Sequence, residues 1–175
     1  MKEQKSERQK NMKKTINKIA RRKIILGTFA SVVIPDETYG LVRFTGRGLI
    51  VDYDRAGRQG FLLKWVHTPR SKTRGGAVYR IQITKDDIEA LLGSQYDHLV
   101  IHLGGADYPY CVITRAEFLG MGVSVGGCIE VVYQRGNKKF RVTGGTVQAD
   151  QPMLIEVRRF WQCGQTNETA LATAA

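Results

Sequence analysis

The chain has 175 residues, of which 42% are hydrophobic; that is enough for one domain with a sizeable core and too apolar for a disordered chain. It carries 27 Lys and Arg against 16 Asp and Glu, a net charge of +11. No run of about 18 apolar residues occurs, so no membrane span is expected. The basic first twenty residues lack the apolar h-region of a secretory signal.

The charge is uneven. Residues 1–23 hold ten basic residues against Glu3 and Glu7, a net +8, whereas the other 152 residues hold 17 basic and 14 acidic, a net +3. A basic head on a nearly balanced body points to a polyanionic partner, nucleic acid foremost. A solubilising tail, or an arm for a ribosome or membrane surface, is the alternative. Cys111, Cys128 and Cys163 are widely spaced and form no CxxC pair. They read as reduced thiols of a cytoplasmic protein, not as a disulfide framework or a zinc knuckle.

In chain order, residues 4–23 lack Gly and Pro, and Met12, Ile16, Ile19 and Ala20 recur at helical spacing. They predict a basic helix that docks a narrow apolar stripe and leaves its Lys and Arg free for phosphates. "KIILGTFASVVIP" is rich in β-branched residues and reads as extended up to Pro35. "TYGLVRFTG", "GLIVDYD" and "GFLLKWVHT" then predict strands, with "DRAGRQG" as a hairpin loop. "PRSKTRGG" (69–76) reads as a basic loop and "AVYRIQI" as a strand. Thr84 caps a short helix, "KDDIEALLG", with Asp86 and Asp87 in its first turn and Gly93 at its end. "DHLVIHLGG" and "YPYCVITRAEF" predict a strand pair, and "CIEVVYQRGNKKFRVTGG" a further hairpin. "MLIEVRRFW" is the last strand candidate, before a small, polar tail. The expected class is α+β: a basic N-terminal helix or arm (1–23), one β-rich core domain (24–163) with a twisted, mixed or largely antiparallel sheet and few other helices, and a flexible tail (164–175).

The stretch "GLIVDYDRAGRQGFLLKWV" holds the first candidate for chemistry. Ile50, Asp52 and Asp54 share one strand face, and Leu62, Lys64 and Val66 share one face of the next. If the two runs pair, Asp54 and Lys64 come together near the sheet edge. Carboxylates that begin a divalent-metal site beside a Lys would suit phosphodiester hydrolysis. The simpler reading is a pair of turn-starting acids and a Lys on a solvated sheet face.

An Asp on one strand and a Lys on the next resemble the PD-(D/E)xK nucleases, in which the second strand carries an acid, one spacer residue and the Lys. "YDHLVIHLGGADYPYCVITRAEF" resembles the stretch after that motif in many such nucleases, so the likeness covers roughly residues 45–120. The resemblance implies an Mg²⁺-dependent endonuclease that acts on DNA as a homodimer. Asp54 and Asp52 would be its metal ligands and Lys64 its charge-stabilising cation. The chain departs from the pattern at Leu62, where the family has an acid; Glu37 or Asp36 in "IPDETYG" would have to substitute.

Basic loops carry the second reading, a DNA- or RNA-binding module without chemistry. Arg70, Lys72 and Arg74 alternate with small residues in "PRSKTRGG", and Arg135, Lys138, Lys139 and Arg141 sit around "RGNKKFR". With Lys13, Lys14, Arg21 and Arg22 of the head they would grip a phosphate backbone. A third reading is an accessory subunit that docks on an acidic protein. His98 and His102 would share a strand face at about 13 Å, too far apart for one metal; His67 follows the Lys64 strand. No GxSxG elbow and no P-loop occur.

Overall fold

The computed structural model describes residues 20–30, 41–53, 57–106, 109–136, 139–144 and 153–156. The expected arm before residue 20 and the tail 164–175 lie outside these. Helix α1 occupies residues 20–30 and runs through the boundary expected between 23 and 24. It also replaces the strand expected for "KIILGTFA". The reason is burial: Ile25, Leu26, Phe29 and Ala30 fall at helical spacing and are buried, while Ile24 is 69% exposed. Phe29 meets Phe61 edge to face at 5.6 Å and Tyr110 at 5.0 Å. Tertiary packing of this stripe overrides the weak helix propensity of the β-branched residues.

Among the described residues ten strands follow, in two five-stranded sheets rather than one. The first sheet runs β1 (Leu41–Phe44), β2 (Gly48–Tyr53), β3 (Gly57–Val66), β6 (His98–Leu103), β7 (Tyr110–Thr114). All its pairings are antiparallel except β3 with β6, which is parallel from Phe61↔His98 to Val66↔Leu103. The second is antiparallel: β10 (Met153–Glu156), β9 (Lys139–Gly144), β8 (Cys128–Gln134), β5 (Gly76–Gln82), β4 (Ser71–Thr73). The basic loop 69–76 is thus itself a hairpin, with Arg74 and Gly75 at its turn between Thr73 and Gly76. No barrel closes. The domain is α+β, with helices α2 (Lys85–Leu92) and α3 (Arg115–Gly120) beside α1 among the described residues.

Alternation of side chains sorts the first sheet into two faces. Phe61, Leu63, Val100 and Val112 pack with Leu49, Val51 and α1. Leu62, Leu99, Ile101, Leu103, Cys111 and Ile113 pack against Tyr79, Ile81, Val131, Tyr133, Phe140 and Val142 of the second sheet, with Leu91 of α2 and Phe118 of α3. The order of layers is therefore α1, first sheet, second sheet. The crossover between parallel β3 and β6 runs through β4 and β5 of the second sheet and then through α2. The α2 helix starts in a capping box in which Thr84 Oγ1 accepts from Asp87 N and the Asp87 carboxylate accepts from Thr84 N, and it ends where Gly93 N donates to Glu89 O. Thr114 and Glu117 form the same box at α3, so "TRAEF" starts a helix and does not extend β7. Among the described residues no helix is long and apolar enough to cross a membrane.

Candidate functional site

Lys64 faces the inter-sheet side with Leu62, and its charge is met there by α2. Its Nζ donates to Asp87 Oδ2 at 2.5 Å. Arg47, in the turn between β1 and β2, donates to Asp87 Oδ1 at 2.5 Å and to Asp86 O at 2.7 Å. Thr84 N and Oγ1 add donors to Oδ2 at 2.9 and 2.8 Å. The Asp87 side chain is fully buried, while those of Lys64 and Arg47 are 21% and 36% exposed. Burial pushes the Asp87 pKa up, but the Lys64 and Thr84 hydrogen bonds outweigh it and hold the carboxyl below its ordinary value. Asp87 is an ionised hub with every oxygen in use.

The expected approach of an Asp on β2 to Lys64 is not what the structure contains for Asp52. Asp52 sits opposite Arg58 and pairs with Arg43 at 3.1 Å. Lys64 lies six positions beyond Arg58 on β3, about 20 Å along the strand. The reason is register: Leu62 faces Gly48, not Asp52. A side chain at Gly48 would run into the Phe61 carbonyl, so no acid fits across from Leu62. Asp54, Glu37 and Asp36 lie outside the described residues. Among the described residues no three His, Cys, Asp or Glu side chains form a metal-holding group. The described residues around Lys64 do not fit the Mg²⁺ site the resemblance implies, because Leu62 and Gly48 carry no side-chain carboxylate and the Asp87 carboxylate is saturated with protein donors.

The basic residues converge elsewhere. A cleft of about 480 Å³ opens at the carboxyl ends of parallel β3 and β6 and is lined by His67, Lys72, Arg74 and Arg135 around Gly104 and Gly105. Carboxyl ends of parallel strands are a common ligand position, since the chain turns away there and leaves a crevice. Lys72 sits opposite Ala77, so it points to the cleft side of the second sheet. Arg135 N donates to Gly75 O at 2.7 Å, which locks the turn after β8 against the β4–β5 turn. Lys72 and Arg74 have no ion-pair partner among the described residues. Arg21 of α1 reaches His67 Nε2 at 3.4 Å and so adds a cation beside the rim.

The other expected basic contacts are placed apart. Arg70 pairs with Glu130 at 2.8 Å. Arg22 lies over the Trp65 ring at 5.6 Å, and burial with the nearby Arg47 cation holds its pKa below the ordinary value. Lys139 and Arg141 alternate with the buried Phe140 and Val142, so they lie on the outer face of the second sheet, away from the cleft. Lys13, Lys14 and Lys138 lie outside the described residues. His98 and His102 share the α1 side of β6, as the strand reading expects; His98 stacks on Phe61 and His102 meets Tyr110. Burial and then the neighbouring His67 lower the His102 pKa, which favours a neutral ring.

Sequence reasoning missed three parts of this arrangement. Asp87 carried a signal, the Thr84–Asp87 capping spacing, but not its two cations. Gly104 carries the close approach of β6 to β3: a Cβ there would come within 2.6 Å of His67 O. Tyr79 bridges the sheets by donating its hydroxyl to Gly104 O at 2.8 Å, and both residues line the cleft. Burial raises the Tyr79 pKa, so the donor proton is held at neutral pH. Tyr79→Phe is expected to lower the unfolding free energy by about 1 kcal/mol; urea denaturation reads it, and an unchanged midpoint would mean the bridge does not contribute.

The fold and cleft together define a class: an α+β domain of two stacked five-stranded sheets with a cationic crevice at their shared end. No protein-family model, no curated protein and no solved structure matches the chain.

Proposed function

We propose that this protein binds nucleic acid, DNA in preference to RNA, through the cationic cleft and without a need for metal. One observation carries the reading: Lys72 and Arg74 from one hairpin and Arg135 from another line the same crevice, with Arg21 beside it. The strong positive charge of the chain before residue 24 adds long-range attraction for the same partner. The cytoplasm is the compartment in this reading, supported by the free thiols Cys111 and Cys128. A homodimer would present two clefts to a duplex, and sizing with and without DNA reads that state.

The test is fluorescence anisotropy on labelled duplex DNA and structured RNA, in EDTA and in Mg²⁺. Three phosphate contacts predict that affinity falls roughly 40-fold between about 50 and about 200 mM salt, and that EDTA leaves it unchanged. Affinity that ignores salt would defeat the reading. Failure to bind any nucleic acid would favour the accessory protein-interaction subunit. The same mixtures test the nuclease implied by the resemblance: cleavage that needs Mg²⁺ and vanishes in Lys64→Ala would assign chemistry to β3.

A further inference from the structure

The cleft has a shape as well as a charge. Sheet ends wall it on two sides, His67 and Gly104–Gly105 from one and Lys72, Arg74 and Arg135 from the other. The Tyr79–Gly104 hydrogen bond joins the two sheets within its lining. At about 480 Å³ it matches a nucleotide-sized ligand and is small for a length of duplex. Gly105 turns the chain with φ of +75°, and a Cβ there would meet nothing within 4 Å, so open space remains above the turn. Tyr79 and Tyr133 line the wall, yet they are only 2% and 5% exposed and belong to the core. Those two rings therefore offer no face for a base to stack on, and the exposed groups that face a ligand include His67 and the cations Lys72 and Arg74.

A cavity of this size favours a single terminal group over a length of strand that passes along a surface. Three cations around one cavity also favour the more highly charged group. A phosphomonoester carries about −1.5 to −2 at neutral pH, whereas each backbone phosphodiester carries a single negative charge. Charge-assisted hydrogen bonds from Lys and Arg strengthen with that charge, and Arg adds a two-pronged fit to phosphate oxygens.

We propose that the cleft receives the phosphorylated end of a nucleic-acid strand, its terminal phosphomonoester held by Lys72, Arg74 and Arg135. This rests on the nucleic-acid reading above and adds the kind of group the site selects. A 5′ and a 3′ phosphate present the same chemistry, and the experiment separates them.

The experiment measures anisotropy of one internally labelled oligonucleotide in three forms: 5′-phosphorylated, 3′-phosphorylated and hydroxyl at both ends. Wild type and Arg74→Ala are compared; Arg74 is exposed at a hairpin turn, so its loss leaves the core intact. The expected result is roughly tenfold tighter binding of one or both phosphorylated forms, since a charge-assisted contact to the extra charge supplies that difference, and its disappearance in Arg74→Ala. Equal affinity for all three forms overturns the proposal and leaves the nucleic-acid reading standing. A preference that survives Arg74→Ala overturns the assignment to this cleft, and absence of binding to every form overturns both.

Discussion

Asp87→Ala is expected to lower the unfolding free energy by about 3 kcal/mol and the melting temperature by roughly 6–12 °C. Removing the buried carboxylate leaves Lys64 and Arg47 without their counter-charge and strips the first turn of α2 of its cap. Breaking one side of a buried ion pair costs about 3–5 kcal/mol, and the partial exposure of both cations places this case at the low end. Lys64→Met should cost less, about 1–2 kcal/mol, because Arg47 and Thr84 still satisfy the carboxylate. The effect has a pH signature. The folded-state pKa of Asp87 lies below its ordinary value of 3.8, so the unfolded chain binds the proton first as pH falls. The stabilisation is complete above that value and is lost as pH falls through the folded pKa. The stability gap between wild type and Asp87→Asn should hold steady above about pH 5 and narrow below it. Urea titrations across that range read the gap, and a gap that widens in acid would refute the hub. Should Lys64→Met leave stability untouched, the structural role given to Lys64 would fail.

The second large effect is on binding. Joint replacement of Lys72, Arg74 and Arg135 by Ala is expected to weaken nucleic-acid affinity about a hundredfold, at about 1 kcal/mol per lost phosphate contact. The salt slope should shrink by about 2.7, since three counterion-releasing contacts are gone. Lys72 and Arg74 are exposed, so little loss of folding is expected from them. Joint replacement of Lys139 and Arg141, on the outer face of the second sheet, is the matched control and should change affinity far less. If both sets weakened binding equally, diffuse charge and not the cleft would be the basis of recognition.

The two effects separate residues that look alike in sequence. Lys64 in "FLLKWV" stands out as an isolated cation in an apolar run, and Lys72 is one of several in a loop. In the structure the first is neutralised by a buried acid 23 positions away, and the second has no ion-pair partner among the described residues. Which cation is committed and which is available depends on the segment that folds against it. That is a long-range fact, and local pattern does not carry it.

Much was determined by the sequence itself. Period-two alternation and turn residues set the strands from Leu41 onward other than β4, whose residues read as loop, together with the β2–β3, β6–β7 and β8–β9 hairpins and the α+β class. Thr84 and Gly93 set the ends of α2. These features are local, because a few neighbouring dihedrals and one buried face decide them. Tertiary structure alone decided the rest. Burial on the first sheet made a helix of residues 24–30, against their β-branched content. Register across β2 and β3 put Gly48, and not an acid, opposite Leu62. The stacking of two sheets brought the turns bearing Lys72, Arg74 and Arg135 to the carboxyl ends of β3 and β6. Each depends on which distant segment supplies the facing surface, and a one-residue change of register would exchange the faces and dismantle both the Asp87 hub and the cleft.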